Sequence, residues 1–393
     1  SDMNFKWSED EVAWRQEVGD FLRKEVTEEL LGELKRKRSD HSQELYEKVA
    51  RKGWLGVSLP REYGGLGKSM AYQAIFNEEM HVCGLPEGTL DAIRNTAQYV
   101  ALALLSFGSE EQKQHWLPKI IRGEVRISLG LTEPNSGSDV ASAQARAVED
   151  NDSFTLNGTK LFSCAHVTTH MMVLARTDPT ARKHEGLSLF LVDLSSPGVS
   201  IRPMITIGGR IRNEVSFEDI KIPKENLLGE RNKGWTNLQA GLGQERSESR
   251  RVNIMRVLLG RLIEYTKNTR RDGVLLSEIT SVRHALADVA TEVEISWLLS
   301  QRVVWMQTKG MSTTSREAPM AKLYHTEAWE RFATAALDII GQRGILEHSA
   351  EWIPLDGAIS EMYGDCRTHQ IGAGTSEIQR NIIAIRGLGL PRK

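Results

Sequence analysis

Residues 129–139 read Leu-Gly-Leu-Thr-Glu-Pro-Asn-Ser-Gly-Ser-Asp, and this stretch anchors the interpretation of the chain. An apolar run ends at Leu131 and gives way to a turn rich in Pro, Gly and Ser. The backbone N–H groups and hydroxyls of such a turn can bind an anion or the polar edge of a ring. Taken by itself, the stretch also fits an ordinary polar turn after a strand.

Upstream of this turn the sequence is helical. Apolar residues recur at three- and four-residue spacing from Ser8 to about Ile121. Ser109 and Gln112 have the spacing of a capping box, which predicts that a new helix begins there. We therefore predict an N-terminal helical domain over residues 1–124.

The strand that ends in this turn is the first of a series of short segments rich in β-branched residues. The dipeptide Asn157-Gly158 predicts a hairpin turn, because both residues tolerate positive φ. Turn residues separate seven predicted strands, at 126–132, 143–148, 153–156, 171–176, 187–193, 199–205 and 214–222. We predict a middle antiparallel β domain over residues 125–232, folded as a sandwich or a barrel.

Downstream of Gly234-Trp235 the helical period returns and continues almost to the end of the chain. Long amphipathic stretches at 250–268, 281–307 and 317–340 are typical of a helical bundle. We therefore predict a C-terminal helical bundle domain over residues 233–393. The predicted fold class of the whole chain is α+β.

The composition narrows the class of protein. The chain has 393 residues, 40% of them hydrophobic and 26% charged, with a net charge of -2. It therefore has no surplus of cations to neutralise the phosphates of a nucleic acid. Its three cysteines, Cys83, Cys164 and Cys366, are few and widely spaced, which indicates a reducing compartment. Without a bilayer-length apolar run or a signal-peptide pattern, we expect a cytoplasmic protein that does not enter membranes.

Two further patterns do not support a site. Residues 64–69 resemble the end of a phosphate-binding P-loop, but Glu62 occupies the position of its first glycine. His166 and His170 are four residues apart, yet they lie between predicted strands without a third ligand nearby. We expect neither a nucleoside-triphosphate site nor a metal site.

Residues 132–139 resemble the T-E-P-x-x-G-S-D signature of the acyl-CoA dehydrogenases. Other pieces of that family's pattern follow in order and at its spacing, at residues 53–56, 60–67, 108–118, 156–160, 215–217, 222–223, 228–229 and 374–380. Each piece is weak, but together they span nearly the whole chain. The resemblance implies the acyl-CoA dehydrogenase fold, in which the C-terminal domain is a four-helix bundle.

The resemblance also implies an FAD site between the β domain and the bundle, completed by a neighbouring subunit of a tetramer. Thr132 matches a position whose hydroxyl lies near flavin N5, and Ser138 matches a position beside the pyrophosphate. The implied FAD-binding residues are Leu131, Thr132, Gly137, Ser138, Phe162, Cys164, Arg270, Gln342, Thr375 and Glu377.

The sequence departs from the family pattern at three points. Phe162 stands where the family usually has Trp, so a smaller ring would stack on the flavin. Cys164 replaces a common Thr or Ser. The family's Arg-Phe-Gly becomes Arg271-Asp272-Gly273, preceded by Arg270, so either arginine can be the one that reaches a phosphate.

The catalytic base is the most consequential departure. The chemistry needs a carboxylate that takes the α-proton of the substrate. Many family members carry this Glu immediately before Gly-Thr of the C-terminal motif, where this chain has Ala373. A second group carries it on a helix directly before an Arg, which identifies Glu245 as the candidate base. Arg246 and Ser138 are then candidate contacts to the substrate, although an exposed Glu–Arg pair on a charged helix is the alternative.

The implied activity is α,β-dehydrogenation of an acyl-CoA by a homotetramer (a dimer of dimers) that passes electrons to an electron-transferring flavoprotein. The residues around Arg271 and residues 380–383 resemble members acting on branched, cyclic or steroid-derived thioesters, and an acyl-carrier-protein substrate stays open. Two alternatives remain: an oxygen-using oxidase or monooxygenase on the same fold, and a non-catalytic partner subunit of a mixed tetramer.

Overall fold

The fold is described from a computed structural model of the chain. It describes residues 5–238, 250–346 and 353–392. Seven α-helices form the N-terminal part: α1 Glu9–Glu25, α2 Glu28–Lys37, α3 Gln43–Arg51, α4 Met70–Val82, α5 Glu87–Ile93, α6 Ala101–Phe107 and α7 Glu110–Ile121. A π-helical stretch, Arg94–Val100, joins α5 to α6.

The predicted capping box at the start of α7 is confirmed. The Ser109 hydroxyl accepts the backbone N–H of Gln112 at 3.2 Å, and the Gln112 side chain accepts the backbone N–H of Ser109 at 3.1 Å. Two N–H groups that would otherwise lack partners at the helix start are thereby satisfied.

The middle of the chain is one sheet of eight strands in the order β6-β7-β3-β2-β4-β5-β8, with β1 paired to β4. The strands are β1 Ile127–Gly130, β2 Arg146–Asp150, β3 Ser153–Ser163, β4 His170–Arg176, β5 Leu187–Asp193, β6 Val199–Ile205, β7 Ile211–Pro223 and β8 Leu227–Leu228. Most pairings are antiparallel, as predicted. The pairings of β4 with β1 and with β2 are parallel, which no local sequence pattern indicates.

The predicted hairpin turn at Asn157-Gly158 is wrong, because β3 runs through it with a register shift after Leu156. Contacts across the sheet account for the difference. The Asn157 amide binds Asp219 in two hydrogen bonds, of 2.9 and 3.0 Å. A Cβ on Gly158 would lie 2.6 Å from that of Ala145, so only glycine allows β3 to approach so closely.

After the sheet, residues 234–238 are helical, and the described ranges then contain the helices α8 Arg250–Asn268, α9 Thr280–Thr308, α10 Glu317–Ile340, α11 Ala358–Ile371 and α12 Ser376–Ile382. The three long predicted helices are confirmed to within one residue at each end. Between α8 and α9 lies a short hairpin of β9 Arg270–Arg271 and β10 Val274–Leu275. A second π-helical turn, Ile383–Gly387, follows α12.

Apolar side chains form separate clusters that follow this order. One fills the space between the N-terminal helices and includes Trp14, Trp54 and Phe76. A second joins α6 and α7 to the sheet, from Leu104 to Leu228, and a third fills the C-terminal helices. The second cluster crosses the predicted boundary at residue 124, so the division into 1–124, 125–232 and 233–393 stays a prediction. None of the helices in the described part of the chain has the length and apolarity that a bilayer crossing needs.

Candidate active site

The turn after β1 is held by a buried ion pair between Glu133 and Lys160. Lys160 is fully buried, and its Nζ lies 2.7 Å from a carboxylate oxygen of Glu133. Burial lowers the pKa of Lys160, and the Glu133 carboxylate opposes that shift. Glu133 also accepts the backbone N–H groups of Gln144 at 2.7 Å and Ala145 at 2.9 Å. The turn is therefore fixed to β3 and to the segment that leads into β2.

Part of the backbone of the turn is also hydrogen-bonded. Glu133 and Ser136 exchange backbone hydrogen bonds of 3.0 and 3.1 Å, and the Thr132 carbonyl accepts the N–H of Leu161 at 2.8 Å. The Thr132 hydroxyl, by contrast, has no hydrogen-bond partner among the described residues. It stays available for a ligand.

Gly137 and Ser138 lie on the exposed rim of this turn. A Cβ on Gly137 would meet no atom within 4 Å, and its φ does not lie in the left-handed region. The packing of the described residues therefore gives no reason for a glycine there. An open position next to fixed backbone N–H groups suits a phosphate that approaches the main chain.

An open pocket lies against the same turn. It is lined by the turn itself, by the segment before β2 and by the middle of β3, at residues Glu133, Pro134, Asn135, Ser136, Ser142, Gln144, Ala145, Gly158 and Thr159. The hydroxyls and amides of this lining are mixed with an equal share of apolar surface.

Phe162 lies on β3 close to this turn, in an uncommon conformation. Its φ is 61°, in the left-handed region, and its side chain is 60% exposed. The strand register shifts between Lys160 and Ser163, so β3 bulges there. A bulky residue held at positive φ stores strain, which is typical of functional sites. The ring is thus available to stack on a planar ligand.

Cys164, two residues later, is sealed from solvent. The Asn95 side chain donates a hydrogen bond to its sulfur at 2.9 Å. Burial raises the pKa of the Cys164 thiol to about 12, so it stays protonated at neutral pH. Its predicted contact with FAD stays a prediction.

The C-terminal motif forms a second group of candidate residues. Thr375 caps α12, since its side chain accepts the backbone N–H of Ile378 at 3.2 Å. Backbone N–H groups at the start of α12, together with the Thr375 hydroxyl, lower the pKa of the exposed Glu377 carboxyl.

The carbonyl groups of the loop before Thr375 accept hydrogen bonds from buried side chains. Ala373 and Gly374 have positive φ, of 58° and 91°. The buried Gln379 amide donates to both of their carbonyls at 3.0 Å, and the buried Lys322 donates to the Gly374 carbonyl at 2.8 Å. The backbone N–H groups of residues 373–375 have no acceptor within the described ranges.

A third group comprises the β9–β10 hairpin and the end of α10. Arg271 donates to the carbonyl of Ile339 at 2.6 Å and is thereby tied to the end of α10, where Gln342 is exposed. Arg270 donates to Gly273 of its own hairpin at 2.8 Å. Both arginines are exposed, so which of them reaches a phosphate stays a prediction.

The structure thus brings the predicted residues together in three groups: the turn with Phe162, the C-terminal motif, and the hairpin with Gln342. Glu245 and Arg246 lie outside the described residues. Sequence reasoning gave no role to Glu133, Lys160, Lys322 or Gln379. An inward-facing lysine in an alternating strand is the signal that could have revealed Lys160.

The P-loop-like segment and the histidine pair make contacts within the protein. Lys68 of the P-loop-like segment lies over the rings of Trp14 and Tyr72. His166 contacts Asn213 at 2.7 Å and Asp40 at 3.1 Å. No cluster of three His, Cys, Asp or Glu side chains suited to a metal ion occurs within residues 5–238, 250–346 and 353–392.

Comparison with known proteins matches three successive parts of the chain to models of one family. Three family models match: acyl-CoA dehydrogenase N-terminal domain at residues 8–124, middle domain at 128–220 and C-terminal domain at 232–388. Acyl-CoA dehydrogenase FadE26 of Mycobacterium tuberculosis is 30% identical over 356 residues, which cover 89% of this chain and 88% of that protein.

Two further relatives are named as parts of complexes. The caffeyl-CoA reductase-Etf complex subunit CarC of Acetobacterium woodii is 31% identical, covering 96% of this chain and 98% of that protein. A chain of the crystal structure of the ChsE4-ChsE5 complex from Mycobacterium tuberculosis superposes with a TM-score of 0.89 at 28% identity, with 100% of both chains covered.

Proposed function

Since this chain belongs to the acyl-CoA dehydrogenase family of FAD-dependent oxidoreductases, we propose that it converts a CoA thioester into its 2-enoyl product. The observation that carries the proposal is the turn fixed by Glu133 and Lys160, in which the Thr132 hydroxyl is unbonded and the Thr132 backbone is bonded to Leu161, next to the exposed Phe162.

The described residues fit FAD. Gly137 offers open space where a pyrophosphate can meet backbone N–H groups, and Ser138 adds a hydroxyl beside it. Thr132 can hydrogen-bond the edge of the flavin ring, and Phe162 can stack on its face. Arg270 has a free guanidinium face for a phosphate, which by resemblance belongs to FAD of a neighbouring subunit.

The reaction divides the work between FAD and the chain. Bound FAD would accept the hydride from the β-carbon. The chain must remove the weakly acidic α-proton and stabilise negative charge on the thioester oxygen. The unbonded N–H groups of residues 373–375 are suited to that oxygen, because Lys322 and Gln379 hold the carbonyls of the loop on its inner side.

We assign removal of the α-proton to Glu245. Ala373 cannot act as a base, and Glu245 matches the helix-borne position that a second group of the family uses. Arg246 would then fix the base or bind the pantetheine of CoA, with Ser138 as a second contact to the substrate.

The test is Glu245→Gln, with Glu248→Gln as the matched control three residues away. Glu245→Gln should retain FAD and acyl-CoA binding but slow anaerobic flavin bleaching by roughly 10²- to 10⁴-fold, as expected for loss of a general base. Glu248→Gln should bleach at nearly the wild-type rate. Bleaching of the Glu245→Gln protein at the wild-type rate would move the base elsewhere.

The acyl group is proposed to be branched or cyclic. Anaerobic bleaching across straight, branched and cyclic CoA thioesters, with one acyl-carrier-protein thioester, tests this directly. Fastest reduction by a straight-chain CoA thioester would contradict the assignment.

An electron-transferring flavoprotein is the proposed electron acceptor, and the name of the CarC relative, a subunit of an Etf complex, supports it. Substrate-reduced enzyme should therefore reoxidise slowly in air and quickly with that flavoprotein. Fast reoxidation in air, measured by stopped flow, would favour the oxidase alternative.

A second candidate is a partner subunit in a mixed assembly, which the two-component name of the ChsE4-ChsE5 complex favours. For a homotetramer we expect about one FAD per purified chain, bleached by an acyl-CoA. A purified chain that holds FAD only after a related chain is added would support the mixed assembly.

A further inference from the structure

The tip of the β6–β7 hairpin, residues 206–210, packs against helix α11. Gly208 of the tip faces Gly364 in the middle of the helix, and a Cβ on Gly364 would lie 2.7 Å from the Cα of Gly208. A Cβ on Gly208 would overlap the side chain of Asp365. Glycine at both positions lets the two backbones meet, which overcomes the cost of a glycine inside a helix.

Arg210, at the end of this tip, binds two acids from different parts of the chain. Its guanidinium pairs with Asp365 of α11 and with Glu87 of α5. The side chain of Asp365 is 3% exposed, that of Arg210 14% and that of Glu87 23%. Removing Asp365 would leave the mostly buried Arg210 guanidinium without one of its two counter-charges, which is unfavourable.

Each end of this contact leads to a group of candidate FAD contacts. Arg210 immediately precedes β7, and β7 pairs with β3 from Lys160 to Ser163. Lys160 in turn holds the turn that carries Thr132 and Gly137. On the other side, α11 runs into the loop that ends at Thr375, and Glu377 follows in the first turn of α12.

We propose that Gly208, Arg210, Gly364 and Asp365 form a clasp that sets the separation between the sheet-borne and the helix-borne halves of the FAD site. Arg210 and Asp365 are positioning residues, since they act through β3 and α11. This inference rests on the proposed function, because both halves are assigned to FAD there.

The chain offers a matched pair of variants. Asp365→Asn and Glu87→Gln each remove one carboxylate charge from Arg210, but only Asp365→Asn removes the ionic link to α11. Apoprotein of each variant is titrated with FAD, and the dissociation constant is read from flavin fluorescence. Coupling between sites typically amounts to 5–150-fold, so we expect Asp365→Asn to raise the constant roughly tenfold. Glu87→Gln should change it by less than about threefold.

Thermal unfolding of the two apoproteins separates positioning from stability. The clasp predicts that the two variants differ more in the free energy of FAD binding than in the free energy of unfolding. Equal FAD affinities for the two variants would overturn the inference.

If Asp365→Asn does not fold, Gly208→Ala provides a second route. The added methyl pushes the tip away from α11 while keeping every charge, and it should also weaken FAD binding by about tenfold. Wild-type affinity in Gly208→Ala would overturn the clasp. A wild-type chain that binds no FAD would instead refute the proposed function.

Discussion

Lys160→Met tests whether the buried pair with Glu133 supports the candidate site. Lys160 is fully buried, and its replacement leaves the Glu133 carboxylate without a cation. Removing one partner of a buried pair costs about 3–5 kcal/mol. Glu133 keeps the N–H groups of Gln144 and Ala145, so we expect the lower end, about 3 kcal/mol.

Urea unfolding of the apoprotein, followed by far-UV circular dichroism, measures this loss. Small proteins have a slope of about 1–3 kcal/mol per molar urea and the slope increases with size, so in this chain the midpoint should fall by up to about 1 M. The same substitution frees the turn that carries Thr132 and Gly137, so the dissociation constant of FAD should rise at least about tenfold, or about 1.4 kcal/mol.

The matched control is Lys183→Met, which breaks the pair of Lys183 with Asp139 at the end of the same turn. Both of these side chains are about half exposed, and such surface pairs contribute about 0–1 kcal/mol. If Lys160→Met and Lys183→Met lose the same stability, or if the first loses less than about 1 kcal/mol, the role given to the buried pair is wrong.

Two predictions concern single side chains at the site. Gly137→Ala should leave the unfolding free energy of the apoprotein within about 0.5 kcal/mol, because its Cβ meets no protein atom. It should weaken FAD binding by about tenfold or 1.4 kcal/mol, and unchanged affinity would contradict a close approach of phosphate. Cys164, whose pKa is raised to about 12 by burial, should resist iodoacetamide in the native protein at pH 8 and react after unfolding. Mass spectrometry of the labelled peptides checks this, and native labelling at Cys164 would refute its burial.

The bounds of the helices could be predicted from the sequence, because neighbouring residues determine them. The apolar period gives α10 its bounds, and Ser109 with Gln112 gives α7 its start. The turn predicted at Asn157-Gly158 failed because Asp219 and Ala145, far along the chain, decide the conformation of β3 there.

The candidate site was predictable only in part, for the same reason. The turn at 131–138 was found by resemblance, but the pairing of Glu133 with Lys160 depends on how β1 lies relative to β3. Arg210 and Asp365 are 155 residues apart, and no pattern around either residue indicates that they meet.

The apolar cluster shared by α6, α7 and the sheet has a consequence for synthesis of the chain. It includes Leu104 and Leu117 of the helices, but also Leu189 and Leu228, which are translated much later. When residue 125 has left the ribosome, the strands that bury one face of these helices have not yet been made. Such exposed surface favours aggregation, and it persists until the last strand of the sheet has emerged.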